Sequence, residues 1–417
     1  MPFSALGLPA TLVRAAHELG LTTPTPIQSE AIPAILGGRD VQGCAQTGSG
    51  KTAAYGLALL QALQSDPGHR PRRVRALVLV PTRELAAQVG EVLRSLGQYL
   101  SHPLKIVVVF GGVSINPQML GLRGGADIVV ATPGRLLDLL DHNALRLGSV
   151  ATLVLDEADR LLDMGFAQEL VRVLAQLPVQ RQNLLLSATF SPAVQKLANQ
   201  LLREPVHIEV PATQANEPTI LQRAIAVDAA QRTPLLCQLI KDNGWSRVLV
   251  FVATKYSAER VAEKLYKQGI FATPFHGDLS QGARQQVLAE FKDERWEVVV
   301  TTDLASRGLD IAQLPVVVNY DLPRSATDYV HRIGRTGRAG ASGLAISFVS
   351  PASEAHFGLI ERRQRLTVPR EVVAGFDPTT AAEPGPVDRS GVPGTGGIKG
   401  KRPSKKDKLR AASTRAE

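Results

Sequence analysis

Cysteine is scarce, with only Cys44 and Cys237 in a chain of 417 residues. They lie far apart and lack metal-ligand spacing, so a reducing, cytoplasmic setting is the simplest reading. Long apolar runs are missing as well. No stretch approaches the roughly 18–20 uninterrupted apolar residues of a membrane-spanning helix, and no membrane role is expected. The first twenty residues contain no basic segment followed by a long apolar core, which argues against secretion. What is present is ordinary globular composition, 44% hydrophobic and 20% charged, so wholesale disorder and fibrous structure are excluded. The length exceeds a single core and suits two domains or more, at roughly 100–200 residues each.

The net charge of +9 is unevenly spread. Between 386 and 417, nine basic residues face three acidic ones, so this segment holds +6 of the total and the body before it is nearly balanced. Basic proteins of this kind often meet polyanions. From 377 onward the chain is rich in Pro, Gly, Ala, Ser and Lys without an apolar period, which predicts a disordered tail.

Short β-rich runs alternate with helical stretches from about residue 40. Strands are expected at 40–44, 76–80, 105–109, 127–131, 152–155 and 183–187, with helices at 53–64, 83–99 and 160–177. The strands after 76 are continuous apolar runs rather than an in–out alternation, as in a parallel sheet covered on both faces. The polar, proline-bounded stretch PATQANEP (211–218) reads as a linker. Strands then resume at 247–252, 271–275, 297–301, 316–319 and 344–348. The expected organisation is one α/β architecture used twice, domains 1–211 and 220–376, with a linker at 212–219 and the tail at 377–417.

The motif AQTGSGKT (45–52) stands between a short strand and an apolar helix. A phosphate-binding loop needs that context. Gly48 and Gly50 let backbone N–H groups around Ser49 curl about an anion. Lys51 would reach the β- and γ-phosphates, and the Thr52 hydroxyl would bind Mg²⁺. Ala45 replaces the usual first glycine, and a plain glycine-rich turn with an exposed lysine is the simpler alternative. DEAD (156–159) follows an apolar strand directly. Asp156 at the strand's carboxyl end would take the metal, and Glu157 would act as general base on a water. An acidic cluster capping the next helix would look the same. The second half has no such phosphate loop. It offers HRIGRTGR (331–338), whose guanidiniums suit phosphate, either as arginine fingers or as a basic turn.

With these pieces in order, the sequence resembles the DEAD-box ATP-dependent RNA helicases over residues 3 to about 376. The resemblance is carried by Phe3 and GLTTPTPIQ (20–28), the phosphate loop, PTRELA (81–86), Gly111–Gly112, TPGR (132–135), DEAD and SAT (187–189). In the second half it is carried by VFVAT (250–254), QGAR (281–284), TTDLASRGLD (301–310) and HRIGRTGR. Leu21 stands where an aromatic is common and Val252 where cysteine is frequent, neither touching catalytic chemistry. Residues 360–376 are similar to the RhlE-type bacterial branch.

The resemblance implies two RecA-like domains that bind ATP and RNA across the cleft between them. Gln28 would grip the adenine edge, Phe3 would stack on its ring, and Asp310 would contact the ribose. Arg335 and Arg338 would reach the γ-phosphate from the second domain. Ser187 and Thr189, with His331 nearby, would link hydrolysis to strand separation. Thr82, Arg83, Gly111, Gly112, Thr132, Arg135, Thr254 and Thr302 would face the RNA sugar–phosphate backbone without reading its sequence. Ribosomal RNA, ribosome-assembly or RNA-decay complexes are the expected partners. An ATP-gated RNA clamp and a DNA-translocating helicase are the competing functions. The tail would tether structured RNA electrostatically or serve only solubility.

Overall fold

The computed structural model describes residues 2–46, 48–65, 71–210, 220–306, 314–337 and 342–379. These fall within one compact unit, Met1–Thr380. The expected linker, Asp310, Arg338 and almost all of the tail lie outside the described residues.

Seven strands build the first sheet: β1 Val41–Cys44, β2 Ala76–Leu79, β3 Ile106–Val109, β4 Ile128–Ala131, β5 Thr152–Leu155, β6 Gln182–Ser187 and β7 Val206–Glu209. They lie in the order β3-β4-β2-β5-β6-β1-β7, all parallel. The second sheet contains β8 Ile220–Ala226, β9 Val248–Phe251, β10 Ala272–Phe275, β11 Val298–Thr301, β12 Val316–Asn319, β13 Gly343–Val349 and β14 Arg370–Glu371. Its order is β10-β11-β9-β12-β13-β8-β14, again all parallel. Counted from its own first strand, each sheet has the same order, so one architecture is indeed used twice.

The continuous apolar strands are explained by burial on both faces. Along β2, Ala76 and Val78 join the core on one side of the sheet, while Leu77 and Leu79 join the core on the other. Helices supply the opposing layers. In the helix Arg83–Leu96, Ala86, Val89, Leu93 and Leu96 recur at helical spacing and are buried in the first of these cores. Burying a side chain of Val or Leu size contributes about 1.5–3 kcal/mol.

Two expectations need correction. The helix expected at 160–177 is two helices, Ala158–Asp163 and Ala167–Leu174. Gly165 adopts φ 87° between them, a left-handed conformation that stops the first helix and turns the chain. Strands β7, β8 and β14 carry no continuous apolar run. β7 is an edge strand with exposed His207 and Glu209, β14 is a two-residue edge, and β8 reads ILQRAIA with its outer half in contact with solvent.

The parallel topology places six of the expected functional segments at the strands' carboxyl ends, where open α/β sheets bind ligands. The phosphate loop, SAT and DEAD follow β1, β6 and β5, three adjacent strands. The PTRELA, TPGR and Gly111–Gly112 segments follow β2, β4 and β3 on the other half of the same edge.

Candidate nucleotide and nucleic-acid site

A cavity of about 360 Å³ opens above β1 and β5. It is lined by Gly48, Gly50, Lys51 and Thr52 of the phosphate loop, by Asp156 and Glu157, and by Arg335 of the second half. Gly48 and Gly50 have φ of 85° and 92°, so this loop needs residues free to take left-handed backbone. At Gly50 a Cβ would also come within 2.4 Å of Gln28 Nε2. Lys51 begins the helix Lys51–Ser65 and is buried; its Nζ donates to the carbonyls of Ala45 and Gln46, the latter at 3.1 Å. Burial lowers its pKa, opposed by the charges of Asp156 and Glu157. An ammonium whose hydrogen bonds, among the described residues, go to neutral carbonyls is poised to exchange them for an anion.

Asp156 is buried, and its carboxylate accepts from the Tyr55 hydroxyl at 2.9 Å and from the backbone N–H of Glu157 at 2.9 Å. Burial pushes its pKa up to about 6, partly offset by Lys51. Glu157 takes the left-handed conformation (φ 51°, ψ 52°), uncommon for a non-glycine residue and characteristic of functional turns. Its Oε2 accepts from Arg160 Nη1 at 3.0 Å in a buried ion pair. Ser49 Oγ is buried without a hydrogen-bond partner among the described residues.

Asp159 ties DEAD to SAT. Its Oδ2 accepts from the Thr189 N–H at 3.0 Å and from the Thr189 hydroxyl at 2.8 Å, while its own N–H donates to Ser187 Oγ at 3.2 Å. Across the cleft His331 lines a cavity with Arg160, and its pKa is lowered by burial and by Arg160 and raised by Asp159. Ser187 and Thr189 are thus joined through Asp159, while His331 meets the neighbouring Arg160.

Arg332, between His331 and Arg335, is absorbed in packing. It makes a two-point ion pair with Asp303 at 2.5 and 2.8 Å and lies 4.9 Å from the centre of the Phe251 ring. It anchors the helix Ala326–Ile333 that carries His331 and precedes Arg335.

Two adenine-side expectations meet a different arrangement. Phe3 is 1% exposed, packed in the first core, and absent from the cavity wall, so its ring has no free face for a base. Leu19 and Leu21 stand on that wall instead, which makes Leu21 part of the site after all. Gln28 is fully buried. Its amide accepts from Thr25 N–H at 2.9 Å and donates to the Gly50 carbonyl at 3.2 Å, tying the proline-rich loop to the phosphate loop. An adenine contact by Gln28 would have to compete with these bonds.

The residues expected to face RNA lie along the carboxyl edges of both sheets. Thr82, Thr132 and Thr254 each occupy the position before a helix, where free N–H groups favour anions. Thr82 Oγ accepts from Leu85 N–H, and Thr254 Oγ from Ser257 N–H, so these hydroxyls cap their helices; Thr82 and Thr132 are buried. The Arg83 guanidinium crosses Gly112, where a Cβ would sit 1.9 Å from Nη2. Gly112 has φ 76°, so only glycine suits that loop. Gly111 beside it is half-buried, as is Thr302 at the end of β11. Arg135 Nη2 donates to Val113 O at 2.8 Å, and its buried Nη1 has no hydrogen-bond partner among the described residues.

Sequence reading missed Tyr55, Arg160 and Gln118, whose amide bonds both the N–H and the carbonyl of Phe110 at 3.0 Å and fixes the Gly111–Gly112 loop. It named PTRELA and QGAR without foreseeing that they meet: Arg284 Nε donates to Glu84 Oε1 at 2.8 Å across the halves, both buried. Tyr55, Arg160 and Gln118 carry no local signature, because each acts through a single side chain that lies outside the motifs.

Two nucleotide-type α/β domains, with a phosphate loop on one and a cationic wall on the other, define a helicase-like core. Residues 25–197 match the DEAD/DEAH box helicase model and residues 231–340 the helicase conserved C-terminal domain. The chain belongs to the DEAD-box helicase family. It is similar to the DEAD-box ATP-dependent RNA helicase CshA of Bacillus cereus, 41% identical across 88% of this chain and 69% of that protein. It is also similar to the ATP-dependent RNA helicase DeaD of Escherichia coli, 41% identical across 88% of this chain and 58% of that protein. Among solved structures, S. cerevisiae Dbp5 bound to RNA and ADP BeF3 superposes with a TM-score of 0.77 at 31% identity, covering 89% of this chain and 95% of that one.

Proposed function

We infer that the chain is an ATP-dependent RNA helicase: RNA binding across both domains drives hydrolysis of ATP in the cavity, and closure separates a short duplex. One observation carries the reading. Arg335, from the second domain, lines the same cavity as Lys51, Asp156 and Glu157 of the first. Charge that develops on a transferred phosphoryl group would thus meet cations from both sides.

The chain's own residues divide the work. The loop N–H groups and Lys51 bind and orient the phosphates. The donors for a divalent ion are hard oxygens, the Thr52 hydroxyl and the Asp156 carboxylate, which fit Mg²⁺. Bound there, Mg²⁺ would neutralise phosphate charge and orient the scissile group. Glu157, released from or steered by Arg160, would accept the proton of the attacking water. Arg335 and Arg338 stabilise the charge on the transferred group only when the domains meet. Asp310 is assigned to the ribose, and Leu19 and Leu21 to the base.

RNA is held by backbone contacts from Thr82, Arg83, Gly111, Gly112, Thr132, Arg135, Thr254 and Thr302, which makes binding indifferent to sequence. Hydrolysis and domain geometry communicate through Asp159, Thr189 and His331. A cytoplasmic location accords with the cysteine usage, and no helix among the described residues is long and apolar enough to cross a membrane. Ribosome-assembly or RNA-decay complexes are the proposed setting, and the RhlE-type assignment rests on residues 360–376.

The test is strand displacement on a short RNA duplex with ATP, with a non-hydrolysable analogue, and without nucleotide. ATP-dependent release of one strand supports the helicase. Tight RNA binding with ATP and no release would replace it with an ATP-gated clamp.

A further inference from the structure

Tyr55 has no part in the mechanism above, yet it is fully buried beside the metal-ligand candidates. The helix Lys51–Ser65 sets Thr52 and Tyr55 three residues apart, hence on one face, with Lys51 a turn before Tyr55. That face looks at the carboxyl end of β5. There the Tyr55 hydroxyl donates to Asp156 Oδ2 at 2.9 Å. One buried hydroxyl thus holds the carboxylate to which the divalent ion is assigned, from the helix that also carries Thr52.

We propose that Tyr55 is a positioning residue for the metal: its hydroxyl fixes the rotamer of Asp156 so that the carboxylate offers an oxygen to Mg²⁺ bound with the nucleotide. The inference rests on the assignment of Asp156 as a metal ligand. Its chemistry is specific. A phenol donates to one carboxylate oxygen and leaves the other side of the carboxylate for the metal. The remaining bond to Asp156, from the Glu157 N–H to Oδ1, restrains the carboxylate from one side only. Without the phenol, Oδ2 would be a buried acceptor with no donor and the carboxylate would be free to turn. Outer-sphere partners of this kind typically set metal affinity by about 10–100-fold. A phenylalanine would fill the same space in the core, so the hydroxyl is separable from the ring.

The experiment is Tyr55→Phe, with Asp156→Asn as a control, read by fluorescence of a labelled ADP at fixed nucleotide while Mg²⁺ is titrated. Affinity for the nucleotide in EDTA and the thermal melting midpoint report the fold. The expected result is a rise of about tenfold in the Mg²⁺ concentration at half-saturation for Tyr55→Phe, with metal-free nucleotide affinity unchanged. A midpoint within about twofold of the parent, while Asp156→Asn shifts it strongly, overturns the proposal alone. If neither variant moves the midpoint, the metal assignment itself fails, and the proposal with it. A melting point that falls while the Mg²⁺ midpoint stays fixed assigns Tyr55 to packing only and also overturns it.

Discussion

The buried pair Glu84–Arg284 is the sharpest place to perturb closure without touching ATP. Glu84 belongs to the first half, next to Arg83. Arg284 belongs to the second and keeps three partners there: the carbonyls of His276 at 3.1 Å and Ala305 at 3.3 Å, and the Phe275 ring at 4.4 Å. Among the described residues, Glu84, at 2.8 Å, is its one hydrogen-bond partner from the other half. Removing one partner of a buried ion pair costs about 3–5 kcal/mol because the other charge is left uncompensated. Here the three remaining contacts soften that loss, and the separated domains would rehydrate both groups, so the penalty falls on closure. About 2–3 kcal/mol is expected for Glu84→Gln, a factor of about 30–150 in the closure equilibrium. Fluorophores on the two domains would report energy transfer while RNA is titrated at saturating ATP analogue. The RNA concentration for half-closure should rise by that factor, while nucleotide affinity without RNA stays unchanged. Arg284→Met added to Glu84→Gln should cost little more, since the two changes break one interaction. An unchanged half-closure point in Glu84→Gln would refute the reasoning, because a contact buried on closure would then contribute nothing to it.

Three further outcomes are expected. Glu157→Gln should retain ATP and RNA while hydrolysis stalls, so that RNA release slows; hydrolysis at the parent rate would remove Glu157 as general base. Arg335→Ala should leave ATP affinity largely intact and cut single-turnover hydrolysis on RNA severely, since fingers of this kind supply about 10³–10⁵-fold; a loss below about tenfold would make it a packing residue. Removing residues 386–417 should weaken RNA binding at low salt and flatten its salt dependence without changing hydrolysis at saturating RNA, because the segment holds +6 and none of the assigned catalytic residues. Equal salt slopes would leave that segment only a solubility role.

What was legible in the sequence was whatever repeats locally. Central strands such as β5 and β12 were found to the residue, because burial on both faces demands an unbroken apolar run. The phosphate loop and DEAD were legible because glycines, a lysine and carboxylates must sit at fixed spacing after a strand. Edge strands escaped because solvent on one side relaxes the pattern, as exposed His207 and Glu209 show in β7. Phe3 was assigned to the base from its place in a motif, but whether a ring is free or packed depends on neighbours such as Leu6 and Leu12, which only folding brings to it. The same holds for Tyr55, a plain helix residue until β5 places Asp156 against its hydroxyl.

The account rests on hydrolysis that waits for RNA to bring the two domains together. The direct measurement is steady-state ATP turnover by the unmodified protein alone, with single-stranded RNA, and with DNA of the same sequence. Turnover should rise at least about tenfold with RNA, stay near the basal rate with DNA, and lose the RNA effect in Arg335→Ala. Turnover equal with and without RNA would contradict a site completed by RNA-driven closure, and equal stimulation by DNA would contradict its assignment to RNA.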